Sequence, residues 1–254
     1  MIEDLKGKAV LITGASTGIG AAAARAFGAN GARVAVHYNA SKGKAESVAD
    51  DVRKAGGEAV LVGGDVTRPG VPKKIVDETV AAFGRLDVLI NNAGGLIKRT
   101  LVADYTDDFV DAVIALNVRQ VVSFVREGVA AMRHQGGGSI INVSSIAARH
   151  GGGPGSVVYA ATKGFISTAT RGWAKELVGD KIRVNALSPG VIMTPFHERF
   201  STAEQLKAMQ AMIPMDRLGT PEECAGLLLF LASDRMSSYI TGQIIEINGG
   251  QFSP

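Results

Sequence analysis

Seven short apolar runs alternate along the chain with longer stretches that have helical periodicity. The runs are rich in β-branched residues and almost continuously apolar, which is typical of parallel strands covered by helices on both faces. They cover residues 9–13, 33–37, 59–62, 87–91, 139–143, 182–187 and 243–247. The helical stretches cover residues 18–29, 42–55, 71–83, 107–132, 157–177, 203–212 and 221–232. This alternation predicts an α/β fold with a seven-stranded, doubly wound parallel sheet and helices on both faces.

No linker or change of composition divides the 254 residues, of which 46% are apolar, so we expect one domain over residues 1–254. The formal net charge is only +3 and no basic run reaches five residues, so nothing indicates a nucleic-acid partner. No apolar stretch reaches 18 residues and the first residues do not resemble a signal peptide, so we expect no membrane partner. Cys224 is the only cysteine, which indicates a reducing, cytoplasmic location. We predict no metal site.

The first predicted strand leads into a glycine turn, TGASTGIG, and then into an alanine-rich helix. This order brings the free N–H groups and the dipole of the helix N-terminus to one point, where a dinucleotide pyrophosphate binds in a Rossmann-type fold. Gly14 permits the tight turn, Gly18 allows a phosphate to come close, and Gly20 allows the helix to pack on the strand. The predicted cofactor contacts of this turn are Gly14, Ser16, Thr17, Gly18, Ile19 and Gly20.

The same turn also contains the pattern Gly14-x-Ser16-x-Gly18 of a hydrolase nucleophile elbow. A serine hydrolase of that kind needs an acid and then a histidine later in the chain than its serine. The histidines of this chain are His37, His134, His150 and His197. None of them lies in the last 57 residues, but His197 remains a possible triad histidine, so a serine hydrolase stays open as an alternative at this point.

Polar residues follow the third and fourth predicted strands, at the sheet edge where ligands bind in such folds. Asp65 and Val66 follow the third strand, where an aspartate can accept a hydrogen bond from adenine, although it could equally cap a helix or form an Asx turn. Asn92, Ala93 and Gly94 follow the fourth strand, where the sequence could also form only a turn. We predict that all five residues contact the cofactor.

Tyr159 and Lys163 are four residues apart and face the same side of a predicted helix. A tyrosine with the usual pKa of about 10 must lose about two to three pKa units, or about 3–4 kcal/mol, to act as a base near neutrality. An ammonium about 4 Å away supplies about 4 kcal/mol at an effective dielectric constant near 20, so we expect Lys163 to lower the pKa of Tyr159. Ser144 and Ser145 end the fifth strand at the same sheet edge, and Asn117 lies inside a long helix, where a polar residue is a poor helix former.

The motifs TGASTGIG, DV, NNAG, Asn117, NVSS, YAATK and SPGVIMT follow one another in the order found in the short-chain dehydrogenase/reductase family. The chain resembles that family from Lys8 to Gly250, and in particular its 3-oxoacyl-(acyl-carrier-protein) reductase-like members. The resemblance implies an NAD(P)(H)-dependent oxidoreductase that interconverts a ketone or 3-oxo group and a secondary alcohol of a small-molecule substrate. It also implies a homotetramer built on the long central helices and the last strand. A non-catalytic NAD(P)-binding sensor or structural subunit is the alternative.

The resemblance also implies a role for each catalytic candidate. Tyr159 would be the general acid/base, and Lys163 would lower the pKa of Tyr159 and hold the nicotinamide ribose. Ser145 would orient and polarise the substrate carbonyl, and Asn117 would hold the water of a proton relay. Ser145 is chosen over Ser144 because the second serine of such a pair is usually the catalytic one. It lies 14 residues before Tyr159 instead of the usual 13, which one extra residue in the glycine-rich loop 151–155 would explain.

A segment after the sixth strand resembles the nicotinamide-side contacts of the family, with Thr194 holding the carboxamide. The residues concerned are Pro189, Gly190, Ile192 and Thr194. Residues of about 194–216 are predicted to form a substrate lid, because flexible methionines and aromatics suit a mobile cover over a partly apolar substrate. Alternatively, Met209 and Met212 form only the buried face of an amphipathic helix.

The choice between cofactors depends on the end of the second strand. An NAD-selective site needs a carboxylate there, about 20 residues past the glycine turn, to bind the adenosine 2′-hydroxyl. The stretch 37–42 contains no acid, so we predict NADP(H) over NAD(H), with Tyr38, Asn39 and Ser41 as contacts and Lys42 or Lys44 as a source of charge. Thr17 stands where NADP-preferring members often carry arginine, so the expected margin is modest, about tenfold or about 1.4 kcal/mol.

Overall fold

The computed structural model describes residues 2–253. Seven strands form one sheet in the order β3-β2-β1-β4-β5-β6-β7, and every neighbouring pair is parallel. The strands are β1 (Ala9–Ile12), β2 (Arg33–Tyr38), β3 (Glu58–Gly63), β4 (Val88–Asn91), β5 (Gly138–Val143), β6 (Ile182–Pro189) and β7 (Ile244–Ile247). The predicted doubly wound sheet is therefore confirmed, and each strand end lies within two residues of its predicted position.

Helices cover both faces of this sheet. They are α1 (Gly18–Ala29), α2 (Lys42–Lys54), α3 (Val71–Phe83), α4 (Asp107–Ile114), α5 (Gln120–Gln135), α6 (Ala147–His150), α7 (Val157–Leu177), α8 (Pro195–Phe200), α9 (Ala203–Gln210), α10 (Pro221–Ala232) and α11 (Asp234–Ser237). On one face α1, α2 and α10 bury Phe27 and Leu228, and on the other α3, α5 and α7 bury Phe124 and Ile166. Two buried faces explain why the strands are almost continuously apolar. Within residues 2–253, no helix has both the length and the apolar character needed to cross a membrane.

The helix predicted over residues 107–132 is interrupted in the structure. Five residues, Ala115–Arg119, form a π-helical turn between α4 and α5, and the helix continues to Gln135. Three short helices, α6, α8 and α11, were not predicted, because four to six residues are too few to show a helical period in the sequence. The π-helical turn, α6 and α8 follow β4, β5 and β6 at the carboxyl edge of the sheet, whereas α11 contacts the segment before β1.

A segment before β1 contacts the end of α10 and the start of α11. Asp4 accepts hydrogen bonds from the Ser233 hydroxyl at 2.8 Å and from the backbone N–H groups of Asp234 and Arg235 at 2.8 and 3.1 Å. Ser233 in turn caps α11 by accepting a hydrogen bond from the N–H of Met236. One carboxylate therefore joins two parts of the chain about 230 residues apart.

Candidate active site

The glycine turn between β1 and α1 is held by side chains from two neighbouring strands. Gly14 has a φ of +64°, which favours glycine, and its N–H donates to His37 Nδ1 at 2.9 Å. Asn92 Nδ2 donates to the carbonyl oxygens of Thr13 and Gly14 at 2.8 and 3.1 Å. The Thr13 hydroxyl accepts from the N–H groups of Asn92 and Ala93, both at 2.9 Å. The turn is thereby fixed to the ends of β2 and β4.

The N-terminus of α1 is arranged to receive an anion. Thr17 is the N-cap residue but its side chain makes no capping hydrogen bond, and the first turn contains no acidic residue. The N–H groups of the first turn therefore stay available, and the helix dipole favours a negative group beside them. A Cβ at Gly20 would lie 2.5 Å from Gly14 O and 2.6 Å from Asn92 Nδ2, so only glycine allows this close packing. The glycine turn thus fits a dinucleotide pyrophosphate.

His37 is a structural part of this turn that the sequence analysis did not identify. It is buried, its Nδ1 accepts from Gly14 N–H, and its Nε2 lies 3.0 Å from Gly64 O. This pairing requires a neutral ring with the proton on Nε2. Burial lowers the pKa of His37, against the opposing effect of its hydrogen bond with Gly64. Because both ring nitrogens are engaged, His37 cannot serve as the base that a serine hydrolase using Ser16 would need.

The ends of β2 and β3 lie side by side, so the residues predicted to bind the adenosine are close together. Asp65 Oδ1 accepts from the Thr67 N–H at 3.0 Å and from its hydroxyl at 2.6 Å, which is an Asx turn, and these bonds lower the pKa of Asp65. Tyr38 covers the end of β3, because a Cβ at Gly63 would lie 2.8 Å from the Tyr38 hydroxyl oxygen. Asn39 and Ser41 are exposed beside it. Lys42 lies 3.6 Å from Glu46, one helical turn later.

Tyr159 and Ser145 meet at the carboxyl edge of the sheet. The Ser145 hydroxyl lies close enough to that of Tyr159 to lower its pKa, and the Ser145 Oγ accepts a hydrogen bond from the N–H of Ala147 at 3.1 Å. Ser144, in contrast, is buried, and its hydroxyl donates to Lys163 O at 3.0 Å and lies 2.8 Å from Ser167 Oγ. Ser145 is thus the serine beside the tyrosine.

Lys163 lies one turn after Tyr159 on α7, but its charge does not lower the pKa of Tyr159 as expected. Its Nζ is 5.7 Å from the centre of the Tyr159 ring and donates to Val143 O at 2.6 Å, so its charge is directed at β5. Burial raises the pKa of Tyr159 to about 12, and the Ser145 hydrogen bond opposes this only in part. Burial also lowers the pKa of Lys163 to about 8. In this structure desolvation therefore has a larger effect on the pair than their mutual charge effect.

Asn117 lies in the π-helical turn and faces the same edge. Its Oδ1 accepts from Gly95 N–H at 2.9 Å, and its Nδ2 donates to Gly95 O and Val113 O at 2.9 and 3.0 Å. A Cβ at Gly94 would lie 2.8 Å from Asn117 Oδ1 and 3.4 Å from Lys163 Nζ. Asn117, Gly94 and Lys163 are therefore neighbours, and Asn117 fixes the backbone that follows β4.

The segment after β6 closes the site from the opposite side. Pro189 ends β6, and a Cβ at Gly190 would lie 2.8 Å from the Cα of Asn248. Ile192 is buried and bridges to Gly219. Thr194 lies against the glycine turn, because a Cβ at Gly18 would lie 3.2 Å from its Cγ2. The late segment and the glycine turn therefore share one cleft.

Residues 194–216, which we call the lid, contain α8 and α9. The Phe196 ring packs on Tyr159 with centroids 5.8 Å apart, and on Phe200 at 5.1 Å. Helix α9 has no buried residue, and Met212 is 60% exposed. The methionines thus do not form the buried face of an amphipathic helix, which was the alternative to a lid.

The known proteins that this chain is similar to are reductases and dehydrogenases. A family model described as enoyl-(acyl carrier protein) reductase matches residues 14–251. The 3-oxoacyl-(acyl-carrier-protein) reductase FabG of Thermotoga maritima is 42% identical, over 97% of this chain and 98% of its own. L-rhamnose 1-dehydrogenase (NAD(P)(+)) of a Sphingomonas species is 38% identical, over 98% and 97%.

Solved structures agree along the whole chain. A short-chain type dehydrogenase/reductase from Mycobacterium marinum superposes with a TM-score of 0.93 at 36% identity, covering 100% of this chain and 98% of that one. The NADH-dependent reductase A1-R', solved as a complex with NAD, superposes with a TM-score of 0.88 at 37% identity and covers both chains completely. Cofactor-binding enzymes therefore share this fold over its full length.

Proposed function

Because this chain belongs to the short-chain dehydrogenase/reductase family and is an NAD(P)-dependent oxidoreductase that interconverts ketones and secondary alcohols, we propose that Tyr159 is its general acid/base. The observation that carries this proposal is the position of the Tyr159 hydroxyl. It lies close enough to the Ser145 hydroxyl for Ser145 to lower its pKa, and the Tyr159 ring lies 5.7 Å from Lys163 Nζ and packs on Phe196 of the lid. A proton donor in a mostly apolar cleft suits a small carbonyl substrate.

The proton in this reaction moves between Tyr159 and the substrate oxygen. When bound, the nicotinamide supplies a hydride to the carbonyl carbon or accepts one from the alcohol. During reduction Tyr159 donates the proton that the carbonyl oxygen takes up, while Ser145 donates a hydrogen bond to the same oxygen. A pKa of about 12 keeps the Tyr159 phenol protonated and ready to donate. Oxidation is the reverse, in which Tyr159 takes up the proton of the alcohol as its phenolate.

Lys163 has two tasks in this proposal. Its pKa of about 8 leaves the ammonium charged at neutrality but close to titration, so it can return a proton to Tyr159. Its Nζ also lies where the nicotinamide ribose hydroxyls would be held. Asn117, which shares the Gly94 neighbourhood with Lys163, positions the water that connects this proton to solvent. Each of the four polar residues then has a distinct role, which a non-catalytic sensor or structural subunit would not need.

The cofactor contacts follow from the same cleft. The first-turn N–H groups of α1 bind the pyrophosphate, Asp65 and Val66 lie at the adenine, and Asn92, Ala93 and Gly94 line the ribose. Pro189, Gly190, Ile192 and Thr194 bind the nicotinamide, with Thr194 at its carboxamide. We keep NADP(H) as the favoured cofactor, because no acid follows β2 and the exposed Lys42 and Lys44 supply charge. Lys42 is partly neutralised by Glu46, and position 17 carries threonine where an arginine would bind the phosphate. We therefore expect NADP(H) to bind more tightly than NAD(H) by only about tenfold, or about 1.4 kcal/mol.

The proposal extends to the whole chain: one domain, a lid over residues 194–216, a homotetramer and a cytoplasmic location. Cys224 is buried, and this burial is the main reason that its thiol pKa is raised to about 12. The thiol is therefore unreactive, which suits a reducing compartment.

The test is a panel of ketones and secondary alcohols assayed with both cofactors by nicotinamide absorbance. We expect Tyr159→Phe to abolish turnover of every active substrate while cofactor binding stays within a few-fold. Tyr239→Phe is the matched control, because that ring is fully exposed and should leave turnover unchanged. Activity of Tyr159→Phe above about a tenth of the wild-type value would overturn the role of Tyr159.

Titration with NADH and NADPH at one ionic strength tests the cofactor choice. NADH binding that equals or exceeds NADPH binding would overturn the preference for NADP(H).

A further inference from the structure

A cavity of about 490 Å³ lies between the loop that follows β4 and the lid. We call it the rim cavity. Its lining includes Lys98, Arg99 and Arg199, and no acidic residue lines it. The apolar part of its wall is formed by Ile97 and Phe200. The rim cavity is therefore positively charged with a partly apolar wall.

Arg99 connects this cavity to the cleft around Tyr159. Its Nε donates to Phe200 O of the lid and its Nη1 donates to Pro154 O of the glycine-rich loop, both at 3.0 Å. The next residue, Thr100, donates its N–H to Gly155 O at 3.0 Å. The loop after β4, the loop after β5 and the lid are the segments that surround Tyr159, and Arg99 joins all of them. The rim cavity thus lies where these three segments meet.

An aromatic row leads from the reacting group to the rim cavity. Tyr159 packs on Phe196, and Phe196 packs on Phe200, with centroid distances of 5.8 and 5.1 Å. Phe200 lines the cavity itself. A substrate lying along this row would place several atoms between its carbonyl at Tyr159 and its far end at the cations.

The backbone that presents the cations is strained. Ile97 has a φ of +65°, which is unusual for a β-branched residue, and the N–H of Lys98 donates to Leu96 O at 2.8 Å across this turn. Strain of this kind persists where the surrounding structure holds it, and it is concentrated at ligand sites. Here it turns the chain immediately before Lys98 and Arg99.

The cations of the rim cavity lack anionic partners. None of the ion pairs within residues 2–253 includes Lys98, Arg99 or Arg199. Lys98 Nζ lies 5.6 Å from the centre of the Phe109 ring, and the Arg199 guanidinium lies 5.1 Å from that of Phe200. Three neighbouring cations that face a cavity without a carboxylate repel one another, and an anion would relieve that repulsion.

We propose that the substrate of this oxidoreductase carries an anionic oxygen acid, a carboxylate or a phosphate, that binds in the rim cavity against Lys98 and Arg199 while the carbonyl lies at Tyr159. Charge-assisted hydrogen bonds from two cations fit either acid. Because the three rings lie between Tyr159 and the rim cavity, the acid group must be several atoms away from the carbonyl. A 2-oxo acid is therefore too short to place its carbonyl at Tyr159 and its carboxylate in the rim cavity. This inference rests on the proposed function, since it takes Tyr159 as the reacting end of the cleft.

The test compares matched acids and neutral esters. The kcat/KM of the holoenzyme is measured for 7-oxooctanoate and its methyl ester, for 2-oxooctanoate and its methyl ester, and for 6-oxoheptyl phosphate. We expect 7-oxooctanoate to exceed its ester by about tenfold or more, which corresponds to about 1.4 kcal/mol, while 2-oxooctanoate shows no such preference. The preference should weaken as ionic strength rises. Comparison of 7-oxooctanoate with 6-oxoheptyl phosphate shows which acid the cavity prefers.

The variant Lys98→Gln/Arg199→Gln should reduce the acid-to-ester ratio to about one. Both side chains are exposed and make no hydrogen bond within residues 2–253, and circular dichroism checks that the variant is folded. Lys207→Gln is the control, because it removes one positive charge from the lid, as Arg199→Gln does, but at a residue outside the cavity lining, and it should keep the ratio. Calorimetry of octanoate and octanol binding to the cofactor-loaded enzyme gives a readout that needs no turnover, and tighter octanoate binding that the double variant loses is expected.

Two failures can be told apart. If acids and esters react equally, with both reactions dependent on Tyr159, or if octanoate binds no tighter than octanol, the rim cavity proposal is wrong and the proposed function stands. If ketones are reduced without any dependence on Tyr159, the proposed function fails and this inference fails with it.

Discussion

Gly94 has no side chain at the point where Asn117 and Lys163 come together. A Cβ there would lie 2.8 Å from Asn117 Oδ1 and 3.4 Å from Lys163 Nζ, whereas a Cβ at Gly95 would meet only Leu116 at 3.7 Å. Neither glycine has a positive φ, so alanine is tolerated by the backbone at both positions. We expect Gly94→Ala to lower kcat/KM by about tenfold or more, because it displaces Asn117 beside Lys163, and Gly95→Ala to stay near wild type. Equal effects of the two substitutions on steady-state kinetics would contradict this prediction.

The buried ammonium of Lys163 should make stability depend on pH. Its pKa is about 8 in the folded protein and about 10.5 when exposed, so between these values the unfolded chain binds more protons and stability rises with pH. Below about pH 8 the full cost of burying the charge, on the order of 3 kcal/mol, is present. Urea unfolding of the cofactor-free protein should show this rise, and Lys163→Met should remove it. Lys175→Met, an exposed lysine on the same helix, serves as the control and should keep the rise.

Some residues of the site were found from the sequence and others were not. The glycine turn, Tyr159 and Lys163 carry local spacing signals, so their positions could be predicted. His37 carries no such signal, because its role depends on β1, β2 and β3 lying side by side. The sign of the Tyr159 pKa shift was also wrong, since sequence spacing shows the neighbouring charge but not the burial that outweighs it.

At the scale of elements, two glycines inside helices have opposite surroundings. Gly28 of α1 packs against α2, where a Cβ would lie 2.9 Å from the Cα of Val52, a backbone atom that cannot move aside. Gly226 of α10 has no atom within 4 Å of a Cβ and is exposed. We expect Gly28→Ala to lower the free energy of unfolding by about 1–3 kcal/mol through overpacking. Gly226→Ala should raise it by up to about 1 kcal/mol through helix propensity. Urea denaturation measures both, and a stabilised Gly28→Ala would refute the close packing of α1 on α2.

The long helical segment shows what periodicity can predict about an element. Its apolar positions predicted a single helix over residues 107–132, and α4 and α5 do cover that range. The π-helical turn at Ala115–Arg119 could not be predicted, because one extra residue in a turn barely changes the apolar period. Asn117, a poor helix former, indicated where the helix is irregular but not that the irregularity is a π-helical turn.

At the scale of the whole molecule, the exposed apolar residues of α5 and α7 bear on the proposed homotetramer. Val122, Val157 and Phe165 are 39%, 54% and 43% exposed, although each lies on a central helix. We expect Phe165→Asp to convert a tetramer into a smaller assembly, because it places a charge in an apolar interface. Val102→Asp is the control, since Val102 is 78% exposed in a short 3₁₀ turn outside these helices. Size exclusion with light scattering measures the mass of the assembly formed by each variant. An unchanged tetramer in Phe165→Asp would exclude this interface.

The fold as a whole was predictable because its signal repeats. Seven apolar runs with helical stretches between them restrict the chain to a doubly wound sheet, and the strand order β3-β2-β1-β4-β5-β6-β7 agrees with that class. The rim cavity was not predicted, because residues 97–99 and 199–205, which line it, are about a hundred residues apart in the sequence.

The contact of Asp4 with the start of α11 has a consequence for biosynthesis. A ribosome makes the chain in one direction, so Asp4 exists long before Ser233, Asp234 and Arg235, the residues that bind it, have been added. Until then the Asp4 carboxylate lacks these three hydrogen bonds, whereas Leu5 packs in the core and Gly7 donates to Gly31 O without residues 233–235. A nascent chain that stalls before residue 233 therefore lacks the contact that joins Asp4 to the start of α11.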